Sequence, residues 1–311
     1  MFRGSRKDLK ILISDPISED GLALLKQSKA EYQYSPEISP QDLLATIASY
    51  DALIVRSRTK VTKEVISKAT NLKVIGRAGV GVDNIDSEAA KSRGLRVLNT
   101  PDALTNAVAE FTIGLMIDLS RKITRADSSM KQGKWEKSKI HGTELKGATY
   151  GTIGIGRIGQ RVAEIAHVIG MNIMANDVIP IPEQLVSRLG IVVATQEEVF
   201  RKADFVDLHV PLTPETQDLV NYAKMKTMKP TSFLINTSRG KVVNEVDLLK
   251  ALNEKVIAGA ALDVFEIEPP TQLELLRHDN LIATPHIAGQ TKESQTKAGT
   301  QIVELVLKAL S

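Results

Sequence analysis

An α/β fold of two doubly wound parallel-sheet lobes is what this sequence predicts, with the larger lobe inserted into the smaller. Three observations carry the expectation. Short β-branched runs alternate with amphipathic segments along all 311 residues. The runs are apolar throughout rather than alternately polar, which is how strands read when helices cover both faces of a parallel sheet. The length also exceeds the roughly 250–300 residues at which a single hydrophobic core stops growing.

In chain order, KILISD (10–15), ALIVR (52–56), LKVIG (72–76) and RVLNT (96–100) are the strands of the first lobe, with GLALLKQS and SPQDLLATIAS as helices among them. A second series builds the other lobe: TYGTIGI (149–155), MNIMAND (171–177), IVVAT (191–195), FVDLHV (205–210), SFLINT (232–237), AGAALDV (258–264) and NLIATP (280–285). The stretch from Thr105 to about Gln132 reads as continuous helix bridging the lobes. After the last strand, KESQTKAGTQIVELVLKAL sets Ile302, Val303, Leu305, Val306 and Leu310 on one stripe. That helix is expected to return to the first lobe, which divides the chain into 1–101 plus 286–311 and 102–285.

Composition narrows the function. The chain is 42% hydrophobic and 25% charged, and its 40 basic against 37 acidic residues leave a net charge of +3. The charges are interspersed, without the basic block of a nucleic-acid-binding tail, so no nucleic-acid partner is expected. A small anionic substrate is the more economical use of a few arginines. With no cysteine, disulfides, thiolate metal sites and a cysteine nucleophile are excluded, and no metal is expected. The start, MFRGSRKDLK, lacks the apolar core of a signal peptide, and no run approaches the roughly 18 apolar residues of a membrane span. A cytoplasmic protein without a membrane partner is therefore expected.

The segment GTIGIGRIGQRVAEIA places Gly154, Gly156 and Gly159 in G-x-G-x-x-G spacing. Alone the pattern is weak, but here it ends a strand and opens a helix. The first glycine permits a tight turn, the second lets backbone approach a pyrophosphate, and the third lets helix pack on strand. Phosphates would then meet unpaired N–H groups and the positive end of the helix. The next strand ends at Asp177, 18 residues after Gly159. An acid there accepts hydrogen bonds from ribose hydroxyls and repels a 2′-phosphate, so the expected cofactor is NAD rather than NADP.

Four more polar residues follow three apolar strands in the same lobe. Arg239 follows SFLINT, Asp263 and Glu268 follow AGAAL, and His286 closes NLIATP. The carboxyl ends of parallel strands line one edge, so these side chains can converge on the crevice beside the glycine turn.

At these residues the chain resembles the NAD-dependent D-isomer-specific 2-hydroxyacid dehydrogenases. The resemblance runs over nearly the whole length, through GRAGVGVDNID (76–86), NTPDALTNAVAE (99–110), GIGRIG (154–159), HVPLTPET (209–216), INTSRGKVVNE (235–245), ALDVFEIEPP (261–270) and TPHIAGQTKES (284–294). Within the family it is most similar to the branch acting on D-3-phosphoglycerate, through VRSRTKVT (55–62) and SMKQGKWEKSKIHGTELKG (129–147). The implied fold is a Rossmann NAD-binding domain inserted into a flavodoxin-like substrate lobe, without the C-terminal regulatory domains of longer members. The resemblance makes His286 the acid–base group, Glu268 its carboxylate partner and Arg239 the substrate clamp. It puts Arg157 and Ile158 at the pyrophosphate, Asp263 near the nicotinamide amide, and Thr237, Ser238, Ala288 and Gly289 beside the nicotinamide ring. Val80 and Val210 stand where relatives carry threonine, a lost hydroxyl contact of about 0.5–1.5 kcal/mol each.

The implied reaction is NAD-dependent oxidation of D-3-phosphoglycerate to 3-phosphohydroxypyruvate, the first step of the phosphorylated route to serine. His286 takes the hydroxyl proton, Glu268 holds one ring nitrogen, and Arg239 pairs with the substrate carboxylate. Backbone N–H groups of the Gly79-Val80-Gly81 turn assist, and Arg56, Ser57, Arg58 and Lys60 are candidates to meet the distal phosphate. A homodimer through the cofactor lobe, with Trp135 at the contact, is also implied. Two alternatives stand beside this reading. One is a family member acting on glyoxylate, hydroxypyruvate or D-lactate, which would not need the basic loop. The other is a non-catalytic NAD-sensing regulator on the same scaffold.

Overall fold

The computed structural model describes residues 9–28 and 30–311. Most of the polar start read as lacking a signal peptide, residues 1–8, lies outside the described residues. The chain forms two compact units, one containing the chain up to Leu104 together with Gly289–Ser311, the other Thr105–Ala288. The division falls three residues beyond each boundary expected from sequence. Ala103 is buried in the apolar core of the first unit with Leu104 packed against it, and the Asp263 carboxylate ties Ile287 and Ala288 to the second.

The first unit is a parallel sheet of β1 (Lys10–Ile13), β2 (Glu31–Tyr34), β3 (Ala52–Val55), β4 (Val74–Arg77) and β5 (Arg96–Asn99), in the order β2-β1-β3-β4-β5. That is the doubly wound order of flavodoxin-like folds. The strand β2 has no counterpart among the expected strands. Its sequence EYQY is mostly exposed at the sheet edge, so it carries no apolar run to reveal it. One face of the sheet packs Leu12, Leu53 and Ile75 against Ile47 and Ile66. The other packs Ile11, Ile13 and Ile54 against the C-terminal helix Lys292–Leu310 through Ile302, Val303 and Val306. Leu305, expected on the same stripe, is instead 38% exposed. It lies a full residue step outside the face that meets the sheet.

The second unit holds β6 (Thr149–Ile153), β7 (Asn172–Asn176), β8 (Val192–Val193), β9 (Phe205–Leu208), β10 (Phe233–Asn236), β11 (Gly259–Leu262) and β12 (Leu281–Ala283). Their order is β12-β11-β10-β9-β6-β7-β8, and all pairs are parallel. Strand order reverses where β6 separates β7 from β9, the switch point at which open α/β sheets bind ligands beyond the carboxyl ends of their strands. Apolar cores cover both faces, one around Phe200, Val206 and Leu234, the other around Tyr150, Val162 and Ile235.

The helix expected from Thr105 to Gln132 is interrupted. It runs Thr105–Arg121 and restarts as Ile123–Lys131, with Lys122 at φ 55° between them. Asp118 explains the restart, since its carboxylate accepts the Thr124 N–H at 2.8 Å and satisfies a donor that the new helix leaves open. Among the described residues no helix is long and apolar enough to cross a membrane.

Candidate active site

The glycine turn follows β6 and opens the helix Arg157–Ile169. Gly154 sits at φ 89°, and a Cβ there would lie 2.5 Å from the His209 carbonyl oxygen. A Cβ on Gly159 would lie equally close to the Gly154 carbonyl. Gly156 is different. A Cβ there meets nothing within 4 Å, and no side chain caps the helix that begins beside it. Gly154 and Gly159 are thus required by the chain itself, whereas the open space at Gly156 and the uncapped N–H groups suit an anionic ligand. Arg157 is exposed there and Ile158 half-buried. Asp177 follows β7 and fastens the turn, accepting from Ile155 N at 2.7 Å and from Ile179 N at 2.9 Å. A carboxylate has about four acceptor positions, so capacity remains for ribose hydroxyls. These residues fit a bound dinucleotide.

Beyond β10, Asn236 organises the next turn. Its Nδ2 donates to the Arg239 carbonyl at 2.9 Å, and its Oδ1 accepts from Ser238 N at 3.0 Å and Ser238 Oγ at 2.8 Å. Arg239 Nη1 donates to the Ser238 carbonyl at 2.6 Å, which directs its guanidinium. Thr237 is buried and its hydroxyl lies 3.2 Å from that of Thr112.

The β11 strand delivers Asp263, which is fully buried and accepts three hydrogen bonds, from Thr284 Oγ1 at 2.6 Å, Ile287 N at 2.9 Å and Ala288 N at 2.8 Å. These bonds bracket His286, whose φ of 54° is left-handed. Such a conformation costs on the order of 1 kcal/mol in a non-glycine residue and persists where its surroundings enforce it. His286 Nδ1 lies 2.9 Å from Glu268 Oε2 and 3.1 Å from Oε1. Both side chains are about half exposed, at 50% and 40%. A carboxylate only accepts, so the shared hydrogen belongs to Nδ1 and Nε2 keeps its lone pair when the ring is neutral.

The remaining substrate candidates lie in the first unit. Asp15, buried at the end of β1, accepts from Arg56 N at 2.5 Å, Thr59 N at 3.2 Å and Thr59 Oγ1 at 2.7 Å. It also pairs with Arg58 Nε at 3.1 Å. Arg58 donates further to the carbonyls of Ile38 and Ser14. Its guanidinium is therefore engaged within its own unit, which weakens the expectation that it meets a phosphate. Arg56 is half-buried with Nη1 on the Pro16 carbonyl at 3.3 Å, and burial lowers its pKa against the opposing pull of Asp15. Ser57 and Lys60 are exposed. Gly79 N donates to Thr100 Oγ1 at 2.8 Å, and the Val80 carbonyl accepts from Asn99, which fixes the turn through Gly81. The Gly289 carbonyl accepts from Ser294 Oγ and Gln295 Nε2, each at 2.7 Å.

Comparison with known proteins decides the family. The family model for the D-isomer specific 2-hydroxyacid dehydrogenase NAD binding domain matches residues 113–288. The chain belongs to the D-isomer-specific 2-hydroxyacid dehydrogenases. It is 45% identical over 303 residues to D-3-phosphoglycerate dehydrogenase of Methanocaldococcus jannaschii, covering 97% of this chain and 57% of that one. The chain thus spans little more than half the length of that relative. To hydroxypyruvate reductase of Thermotoga maritima it is 41% identical over 308 residues, covering 97% and 98%. D-lactate dehydrogenase from Aquifex aeolicus, solved with NAD and lactic acid, superposes with a TM-score of 0.85 at 31% identity over 97% of this chain and 95% of that one. As in that family, the second unit is an NAD-binding domain.

Two features of this unit were not singled out from sequence. Asn236 ends an apolar run, and that polar residue at a strand end was the available signal. Beneath the glycine turn, Tyr150 Oη donates to the buried Asp207 Oδ2 at 2.9 Å. Burial first, and then the Asp207 charge, raises the tyrosine's pKa well above its ordinary value. His209 Nε2 lies 2.7 Å from the same oxygen, an ion-pair distance without hydrogen-bond alignment. Nothing in the spacing of TYGTIGI and FVDLHV discloses this cluster, because neighbouring strands meet only once the sheet is ordered.

Proposed function

We propose that the chain oxidises D-3-phosphoglycerate to 3-phosphohydroxypyruvate, with NAD as the hydride acceptor. The observation that carries the chemistry is the 2.9 Å contact between His286 Nδ1 and Glu268. With Nδ1–H committed to the carboxylate, Nε2 presents a lone pair that accepts the substrate hydroxyl proton as the hydride leaves the same carbon. Glu268 keeps the Nδ1–H hydrogen bond and so holds the ring in place while Nε2 carries the proton, and in the reverse direction Nε2–H returns it. Arg239, oriented by Ser238 and Asn236, binds the substrate carboxylate and keeps the reacting carbon in register. Bound NAD supplies the two-electron acceptor, and the chain supplies position and proton transfer.

The substrate reading rests on similarity to D-3-phosphoglycerate dehydrogenases, and phosphate recognition falls to Arg56 and Lys60 rather than Arg58. A homodimer through the NAD-binding unit, with the 77% exposed Trp135 at the contact, and a cytoplasmic location complete the proposal. Two observations favour a second reading, hydroxypyruvate reduction. Arg58 is occupied by Asp15, and the Thermotoga maritima hydroxypyruvate reductase is matched over 98% of its own length. NADH oxidation with 3-phosphohydroxypyruvate, hydroxypyruvate, glyoxylate and pyruvate separates the two. The largest kcat/KM for the phosphorylated acid is expected, and a larger value for hydroxypyruvate selects the second reading. No turnover of any acid would leave an NAD sensor.

A further inference from the structure

We infer that Glu245, in the motif VVNE, is a positioning residue for the acid–base pair, acting through the segment that carries Glu268. The inference rests on the proposed role of Glu268 and His286. Past the buried Phe265, the chain from Glu266 to Pro269 runs along the surface, with Ile267 67% exposed. A segment so exposed lacks apolar packing to hold it.

Two hydrogen bonds at its start replace that packing. Glu245 Oε1 accepts the Glu266 N–H at 2.5 Å, and Glu266 Oε1 accepts the Glu245 N–H at 2.8 Å. The second bond also satisfies an N–H at the opening of the helix Glu245–Asn253, where a negative charge is favourable. Two residues on, Glu268 Oε1 accepts the Phe265 N–H at 3.2 Å while facing His286. The reciprocal pair therefore sets the backbone from which the catalytic carboxylate reaches the ring. Glu245 is only 4% exposed. Burial raises its pKa, the Glu266 N–H opposes that rise, and the charges of Glu266 and Glu268 add to it. An acid kept in so unfavourable a place marks a geometric requirement at that position.

The test compares wild type, Glu245→Ala, Glu245→Gln, Glu266→Ala and His286→Asn in the full chain at one pH. Turnover, KM, NADH affinity and the 15N resonances of the His286 ring are measured. Glu245→Ala is expected to lower kcat about 10- to 100-fold, the range that misplacement of about 1 Å produces. NADH affinity and KM should stay within about threefold, and the His286 Nδ1 resonance should lose its hydrogen-bonded shift. The glutamine amide oxygen still accepts the Glu266 N–H, so Glu245→Gln should recover most of the loss. Glu266→Ala, on the exposed segment, should move kcat and the resonance in the same direction even if Glu245→Ala folds poorly. An unchanged Nδ1 resonance in both alanine variants overturns the inference whatever happens to activity. Wild-type kcat in His286→Asn overturns the acid–base reading instead, and the ring resonances still decide whether Glu245 positions the pair.

Discussion

Replacing Gly240 by alanine should break the site without touching any group that performs chemistry. A Cβ at Gly240 would lie 1.9 Å from both the carbonyl carbon and oxygen of Phe265, and 2.6 Å from Glu266 N. Ordinary contact begins at 3.4 Å, so one segment must retreat by roughly 1.5 Å. The obstruction is backbone on both sides, and no side chain can swing away. One side is the turn that holds Arg239, fixed by Asn236; the other is the segment leading to Glu268. Whichever yields, the clamp and the acid–base pair lose register, and displacement of about 1 Å is worth around 10²-fold in rate. Overpacking of this kind costs about 1–3 kcal/mol, which lowers Tm by several degrees in a domain of this size. The assay pairs NADH-linked turnover with NADH binding by fluorescence and a thermal melt. Expected are a kcat down by about 10²-fold or more, a lower Tm, and an NADH affinity within about threefold. Gly156→Ala is the converse control, since its Cβ meets nothing in the protein; Tm should hold while NADH binding weakens. A Gly240→Ala protein with wild-type kcat and Tm would show that the two segments are not in mutual register, and the geometric argument would fail.

His286→Asn should keep NADH binding and lose turnover by about 10²–10⁴-fold, the contribution of a positioned acid–base group; near wild-type kcat would show that His286 does not carry the proton. Asp177→Ala should narrow the preference for NADH over NADPH and loosen the glycine turn, because Ile155 N and Ile179 N lose their acceptor; tighter NADPH binding by the wild type would refute the assignment. Arg58→Ala should destabilise the fold by about 1–2 kcal/mol in urea denaturation, since Asp15 stays buried with fewer partners, and should change KM less than Arg56→Ala does. For Glu245 the folded-state pKa lies above the unfolded one. The folded state therefore holds the extra proton, and stability declines as pH rises from the usual carboxylate range through that raised value. Glu245→Gln should flatten this decline, and identical pH dependence of the two proteins would contradict it.

Much of the fold was legible because apolar strand runs carry their own signal. Among the described residues, eleven strands sit where continuous hydrophobic stretches stand in the sequence. The exception, β2, is an exposed edge strand of alternating polar and aromatic residues, held by pairing to β1 rather than by its own apolarity. The break at Lys122 was invisible for a related reason. No glycine or proline announces it, and the carboxylate that restarts the helix lies six residues before the N–H it accepts.

The site divides in the same way. Residues that end strands, such as Asp177, Arg239, Asp263 and His286, stand out because a polar group closes an apolar run. What holds them does not stand out. Asp263 has a binding role implied by resemblance, yet the three hydrogen bonds that its carboxylate accepts all come from the His286 turn. Arg58 reads as a free basic side chain in VRSRTKVT, yet Asp15, more than 40 residues earlier, occupies it. Hydrogen bonds from a carboxylate to distant backbone N–H groups depend on where the sheet brings the chain, and any acid in the sequence could make them. The candidate chemical groups of this site are therefore readable one residue at a time. Their precision belongs to a second set of acids and amides, Asp15, Asn236, Glu245 and Asp263, whose work exists only in the folded chain.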